Sequence, residues 1–406
     1  DVYKRQNQKG TSTVKRNRRR PGVKITGGGT GVVNHAGARL LGDLADNVGL
    51  TSALSAAMAP TKQRRRGHDR GEVLVDLAVM LAGGGETISD VAVLRDQPDL
   101  FGEVASHPTV WRTLEAVDGA ALGRIKTARA QARANAWAAG ADPGFYVIDI
   151  DATLVGAHSD KEQAAPTYKR GFGFHPLLAY LDATGEALAG VLRRGNAGSG
   201  TAADHVTVLD DALDQLPINP ADVEVIARAD SAGWSHGFVN HCRRRDVRFV
   251  IGHRLSVDVA KVLVNVPKRA WQPAVSADGG EWRDHAEVVE ITDLVGDLLD
   301  GWPDRCRMIA RRELPHPGAQ LTFTDIDGHR YLCSIALHVS HRRTTRPSHP
   351  LQQPHRTGRN SPLTAITRIT PGRLAPANCS RPPPVPHGTL TSGLLKRTVE
   401  RSSCGE

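Results

Sequence analysis

The spacing of apolar and polar positions divides the chain into segments of different period. From about residue 35 to 140 apolar residues return every three or four positions, first as Ala38, Leu40, Leu41, Leu44 and Val48, then as Val73, Leu74, Leu77, Met80 and Leu81. That is the period of amphipathic helices, whose apolar stripe turns toward a core, so a small all-α domain is expected. Its last helix, over 123–139, carries Arg124, Lys126, Arg129 and Arg133 and leads into the Gly140-Ala-Asp-Pro-Gly144 break.

From 141 to 255 the runs shorten to strand length. The stretch Phe145-Tyr-Val-Ile-Asp-Ile-Asp-Ala-Thr-Leu-Val155 reads as a buried strand, and a period of two puts Asp149 and Asp151 on one face near its end. Two carboxylates on one face repel unless a cation lies between them. Apolar runs over 175–181 and 186–193, joined by Asp182-Ala-Thr-Gly185, predict a hairpin. A helix over 202–216, a strand over 223–230 ending on Asp230, a helix over 237–245 and a strand over 247–252 follow. His205, at the start of the first of these helices, is expected to hydrogen-bond the helix terminus. From 256 to 337 come a helix and short alternating runs at 287–291, 307–311, 321–324 and 330–337, which predict a β-rich insertion.

Composition changes this picture at the two ends. The net charge of +9 and pI near 9.5 point to a polyanionic partner, because clustered Lys and Arg gain by releasing counterions from phosphates. Residues 1–34 hold Lys4, Arg5, Lys9, Lys15, Arg16, Arg18, Arg19 and Arg20 and a glycine-rich stretch. They read as a disordered basic arm, either touching DNA phosphates or simply solvated. No Gly-Lys-Ser/Thr follows the glycines, so they are no phosphate-binding loop. Without an initiator Met, the abrupt start reads as a fragment or a junction scar. Beyond 338 the chain is rich in Pro, Arg, Ser and Thr, lacks Asp and has Glu only at 400 and 406. Disorder is expected, and the abrupt change suggests a shifted reading frame over 338–406.

Five cysteines without C-x-x-C spacing suggest neither a zinc site nor a disulfide framework, which fits a reducing, cytoplasmic setting. The apolar run 73–82 contains Asp76 and is about half of the roughly 20 residues a membrane span needs. No membrane segment or secretory signal is expected.

The order three strands, helix, strand, helix, strand, with acids ending the first and fourth strands, is the ribonuclease-H-like plan. In it those two strands are neighbours and bring Asp151 to Asp230. Two hard oxygen ligands suit Mg²⁺, and two such ions about 3.5 to 4 Å apart clamp the attacking and leaving oxygens of a phosphoryl displacement. The expected fold class is therefore α/β, with a ribonuclease-H-like mixed sheet over 141–255, the β-rich insertion over 256–337, and the all-α domain over 35–140 before it.

Several ordered stretches carry a resemblance across roughly 22–337: Ala82-Gly-Gly-Gly-Glu-Thr-Ile-Ser-Asp90, Leu100-Phe-Gly-Glu-Val-Ala-Ser106, Asp149-Ile-Asp-Ala-Thr153, Gly173-Phe-His-Pro-Leu177, Arg194-Gly-Asn-Ala-Gly-Ser199 and Arg228-Ala-Asp-Ser231. Together they resemble a bacterial insertion-sequence transposase of the DDE class, nearest the IS thirteen-eighty family. The resemblance implies cleavage and transfer of DNA strands with Mg²⁺ or Mn²⁺. It makes Asp151 the first metal ligand, Asp230 the second, and Asp149 a helper. It also implies double-stranded DNA partners, the element ends and the target, a homodimer on that DNA, and a place at the nucleoid. The third acid is due on a helix after the β-rich insertion, with Tyr, Arg, Glu and Lys at helical spacing. That helix is absent from the sequence, so the chain is expected to bind DNA yet be catalytically defective.

Candidate DNA contacts are Arg18, Arg19 and Arg20 in the arm, and Arg112 in Ser106-His-Pro-Thr-Val-Trp-Arg-Thr-Leu114, a helix start with proline in its first turn. That helix reads either as a recognition helix or as an ordinary amphipathic helix with Trp111 in the core. Lys169 and Arg170, in Tyr168-Lys-Arg-Gly-Phe-Gly-Phe-His175, and Arg193 and Arg194 after the third strand complete the set. The first of these two segments also reads as a glycine-loosened loop with Phe172 and Phe174 packed inward.

Two other classes remain open. A haloacid-dehalogenase-type phosphatase opens with the same Asp-x-Asp-x-Thr, with Asp149 as nucleophile and Asp151 as general acid. It needs a largely parallel sheet and a late Gly-Asp-x-x-x-Asp, where Gly296-Asp-Leu-Leu-Asp300 has the wrong spacing. A non-catalytic DNA-binding remnant would share the transposase fold without turnover.

Overall fold

The computed structural model describes residues 20–21, 36–62, 67–198, 201–275, 282–316, 318–320 and 325–337. All of them belong to one compact unit, Asp1–Arg373. The expected basic arm, apart from Arg20 and Pro21, and the expected tail over 338–406 lie outside the described residues.

The helical segment comprises α1 (Ala38–Asn47), α2 (Leu50–Met58), α3 (Arg70–Ala82), the single-turn α4 (Ala92–Arg95) and α5 (Pro98–Phe101), α6 (His107–Glu115) and α7 (Gly119–Ala136). Helix starts follow local chemistry. Asp69 accepts from the backbone N–H groups of Gly71 and Glu72 at the head of α3, and Asp118 from that of Ala121 at the head of α7, which satisfies donors a helix leaves open. Pro108 sits in the first turn of α6 as its spacing predicts. Val73, Val79, Met80, Val91, Leu94, Phe101 and Val110 fill the core between these helices. Gly71 permits the approach of α3 to α2, since a Cβ there would lie 2.1 Å from the Ser55 nitrogen.

One helix is turned the other way from its pattern. In α1 the expected apolar stripe faces outward, with Leu44 56% exposed and Leu40 and Leu41 exposed beside it, while Arg39, Gly42 and Ala45 are buried. The cause is Arg20, whose guanidinium pairs with Asp46 at 2.9 Å and with buried Asp76 at 2.8 Å. Gly42 packs directly against that guanidinium, and Arg39 reaches the Pro21 carbonyl and Asp43. Pairing buried charges outweighs burying leucines here. Trp111 is likewise 51% exposed, so the reading that placed it in the core does not hold.

The remainder is strands and three helices: β1 (Tyr146–Ala152), β2 (Val155–Gly156), β3 (Ala165–Pro166), β4 (Phe172–Phe174), β5 (Leu177–Leu181), β6 (Glu186–Val191), α8 (Ala202–Leu213), β7 (Val225–Ala229), α9 (His236–Arg244), β8 (Arg248–His253), α10 (Val257–Val264), β9 (Gln272–Val275), β10 (Trp282–Glu290), β11 (Cys306–Glu313), β12 (Asp325–Ile326) and β13 (His329–Leu337). A ten-stranded sheet runs β6-β5-β1-β7-β8-β13-β11-β10-β9, with β12 on β13. Strands β1, β5 and β6 are antiparallel neighbours, whereas β1, β7 and β8 are parallel. This is the expected ribonuclease-H-like mixed sheet.

The β-rich segment is present and continues the same sheet, because β13 pairs antiparallel with β8. A second, three-stranded sheet, β2-β4-β3, rises between β1 and β5. Its two- and three-residue strands carry no readable alternation. Ile148, Ile150, Leu181, Leu209, Phe238 and Ile251 form the centre of the main core, on the face covered by α8 and α9.

The basic residues of α7 tie the helical segment to this sheet. Arg133 donates to Glu186 and to the Gln215 carbonyl, Arg129 to the Ala187 carbonyl, and Lys126 pairs with Asp211 at 2.6 Å. Among the described residues no helix is long and apolar enough to cross a membrane.

Candidate active site

Parallel pairing of β1 with β7 matches Ile150 to Ala229. The next residue on each strand is an acid, so Asp151 and Asp230 leave neighbouring strand ends side by side. Asp230 accepts from the Ala232 N–H at 2.8 Å and starts a single turn, Ser231–Gly233. Gly252 lets β8 lie against that turn, because a Cβ there would come within 3.0 Å of the Ser231 nitrogen. Asp151 accepts from the Ala152 N–H at 2.8 Å. Burial pushes the Asp151 carboxyl above the usual range, and the nearby charges of Asp230 and Asp149 push the same way; the Ala152 N–H and His175 oppose them.

Asp149 has a different role. Across the same strand pair it stands opposite Arg228, which donates from Nε and Nη2 to its two oxygens at 2.5 Å each and from Nη2 to Asp182 at 2.8 Å. Burial raises Asp149 against the pull of this guanidinium. Burial also lowers Arg228, and its bonds to Asp149 more than reverse that, leaving it raised. Asp149 is thus held in a bidentate, charge-assisted pair and is not open to a substrate. The sequence pattern missed Arg228 as its partner; the available signal was a lone arginine inside an otherwise apolar strand, one period before Asp230.

Two histidines flank the acids. His175, buried just before β5, shares a hydrogen bond with the Ala197 carbonyl through Nδ1. His205 is buried in the first turn of α8, where Nδ1 meets the Thr201 carbonyl at 3.1 Å and the ring packs on Phe238, the helix-terminal role expected of it. Burial lowers its pKa. On the Asp230 side, Trp234 packs on His253 and Trp302 with ring centroids 4.1 and 4.3 Å apart, and His236 packs on Trp302. This aromatic wall joins residues far apart in sequence and had no local signature.

The candidate DNA-contacting cations fall into two groups. Arg112, Lys169, Arg170 and Arg194 are exposed. Arg20 and Arg193 are not, which corrects the sequence reading. Arg20 is spent on Asp46 and Asp76, while Arg193 donates to the His175 carbonyl at 2.9 Å and to the Gly198 carbonyl and Asp204 at 3.2 Å. Each is buried and paired with a carboxylate of the chain, Arg20 with Asp46 and Asp76 and Arg193 with Asp204, so neither presents a guanidinium to a phosphate. Arg18 and Arg19 lie outside the described residues.

Among the described residues no group of three or more His, Cys, Asp or Glu side chains stands close enough to hold a metal. The pair Asp151 and Asp230 nevertheless fits Mg²⁺ chemically. That ion is commonly held by one or two carboxylates with water and substrate phosphates completing its shell, and these two oxygen donors repel until a cation joins them.

The mixed sheet, with Asp151 and Asp230 at the ends of adjacent parallel strands, defines a ribonuclease-H-like fold. The profile of the family described as "Transposase DDE domain group 1" matches residues 15–348, and the chain belongs to that family. Among solved structures it is similar to the piggyBac transposase in a synaptic complex with hairpin DNA, at 11% identity and a TM-score of 0.37, over 75% of this chain and 61% of that one. It is also similar to the Mos1 transposase in a paired-end complex with the left transposon end, at 10% identity and a TM-score of 0.19, over 46% of this chain and 60% of that one. The chain therefore spans about three fifths of each. No curated protein matches it.

Proposed function

We propose that the chain is a DNA transposase of the bacterial insertion-sequence type, nearest the IS thirteen-eighty family. The observation that carries this reading is the emergence of Asp151 and Asp230 from adjacent parallel strands. Asp151 and Asp230 hold Mg²⁺ or Mn²⁺, and Asp149 keeps the β1 end in place through Arg228. When bound, the metal supplies Lewis-acid stabilisation to the phosphoryl oxygens. Exposed Arg112, Lys169, Arg170 and Arg194 bind backbone phosphates of double-stranded DNA, at the element ends and the target. The domain over 35–140 binds DNA with α6 as its reading helix, and Arg18 and Arg19 in the basic arm over 1–34 add phosphate contacts.

The chain acts as a homodimer on DNA, at the nucleoid in the cytoplasm. It binds DNA but turns over poorly, since the sequence beyond 337 has no Asp and only Glu400 and Glu406. The out-of-frame reading of 338–406 accounts for this. The phosphatase reading is disfavoured because Asp149 is tied up by Arg228 and β1 has an antiparallel neighbour.

The test is Mn²⁺ binding in the presence of duplex DNA. We expect the full chain to bind Mn²⁺, and Asp151→Asn or Asp230→Asn to abolish this while DNA binding persists. Unchanged Mn²⁺ binding in both variants sinks the assignment of the acids, and metal-dependent cleavage at a full transposase rate sinks the claim of defective turnover.

A further inference from the structure

We propose that the turn joining β3 to β4 is a strand-separating finger, whose Tyr168 stacks on an unpaired DNA base beside the Asp151–Asp230 pair. This rests on the transposase reading and names the part of the DNA the site takes.

The finger is rooted at the acids. After β1 the Thr153 N–H reaches the Pro176 carbonyl at 3.1 Å, and β4 pairs antiparallel with β2, matching Val155 to Phe174. The three-stranded sheet therefore springs from the end of β1 that delivers Asp151. Its turn carries Tyr168, whose ring centroid lies 5.7 Å from that of buried His175, two residues before the start of β5.

The finger is also built to hold its shape. The Thr167 and Gly171 backbones bond across the turn at 2.8 Å, Arg170 N–H reaches the Thr167 carbonyl, and Gly171 N–H meets the Thr167 hydroxyl. Gly173 adopts φ +152°, and a Cβ on it would lie 2.1 Å from the Val155 oxygen; one on Gly195 would lie 2.2 Å from the Ala165 oxygen. The first close approach holds β4 against β2 within the small sheet, and the second holds β3 against the segment that follows β6.

At the tip of this rigid element the side chains face solvent. Tyr168 is 71% exposed, and the Lys169 ammonium lies 5.6 Å from its ring centroid. Lys169 and Arg170 are exposed and, among the described residues, pair with no carboxylate. An exposed ring with one ammonium over it and a second cation two residues on in the same turn is matched to a base face with backbone phosphates beside it. Inside a duplex both faces of each base are covered by its neighbours, so the ring reaches a base only where the strand is unpaired. Phosphate contact by Lys169 and Arg170 would then hold that strand across the acids.

The full chain is titrated without divalent metal against a blunt duplex and against the same duplex ending in unpaired thymines, one of them replaced by 2-aminopurine. The wild type is expected to prefer the frayed duplex and to change the 2-aminopurine fluorescence. Tyr168→Ala, with an unchanged melting temperature, loses the fluorescence change and about tenfold in affinity for the frayed duplex. Tyr168→Phe and Tyr168→Trp keep both. Equal wild-type affinity for the two duplexes, or full retention of preference and fluorescence change by Tyr168→Ala, overturns the finger while leaving the transposase reading intact. Failure of the wild type to bind either duplex overturns both.

Discussion

Arg228 holds two carboxylates at once, Asp149 and Asp182, with its side chain only 13% exposed. Removing one partner from a buried ionic cluster leaves the others desolvated and unpaired, at about 3–5 kcal/mol. Arg228→Ala should therefore lower the stability in urea by about that amount, with Arg228→Lys recovering only part, because lysine cannot make the bidentate contact. A loss well under 1 kcal/mol would show the cluster to be solvated.

Asp151 works in the opposite sense. Its pKa is raised on folding by burial first and then by Asp230 and Asp149. The folded state thus holds that proton more tightly than the unfolded chain, and this contribution disappears as pH rises through the raised value. At neutral pH the carboxylate opposes folding, so Asp151→Asn should raise the melting temperature of the metal-free protein at pH 7. The gain should vanish below about pH 3.9, where the unfolded carboxyl is protonated as well. Mn²⁺ should stabilise the wild type and leave the Asn variant unchanged. A lower melting temperature for the variant at neutral pH would remove the case for an ion-seeking pair.

Among the elements, α1 shows where reading a pattern stops. Its helical period was legible, but its orientation was set by Arg20, a residue eighteen positions before the helix starts and grouped by sequence with a solvated arm. Nothing local in Leu40, Leu41 and Leu44 says that an arginine has taken the inner face. Leu44→Ser should accordingly change stability by no more than about 0.5 kcal/mol. Arg20→Ala should cost about 3–5 kcal/mol by exposing Asp76 to burial without a partner. Denaturant titration of the two variants distinguishes them, and a reversed order would return Arg20 to the arm.

The small sheet was illegible for another reason. Strands of two or three residues have no room for alternation, and their positions depend on the glycines at 173 and 195 meeting distant backbone. The pairing of Asp151 with Asp230, by contrast, could be read because strand order follows from the sequence of elements, and each acid directly follows a residue paired in register.

Over the whole molecule, the separation of cations into exposed and buried predicts how DNA binding responds to salt. Each exposed phosphate contact contributes about −0.9 to the slope of log affinity against log salt. Arg194→Ala and Arg170→Ala should each flatten that slope by about 0.9. Arg193→Ala should leave the slope unchanged and lower the melting temperature instead, since its guanidinium bonds only to the protein's own carbonyls and Asp204. A flattened slope for Arg193→Ala would place that residue on the DNA after all.

The continuous sheet has a consequence for how the chain is made. Strand β13 is the last described strand in the sequence, yet it lies inside the sheet, between β8 and β11. During synthesis the five strands from β6 to β8 exist before it, as do β9 to β11, and neither group can join the other until Leu337 has left the ribosome. Until then β8 and β11 each present an unpaired edge, the kind of surface that recruits other strands. A chain stalled before His329 is therefore expected to aggregate rather than fold, because joining of the two strand groups waits on β13.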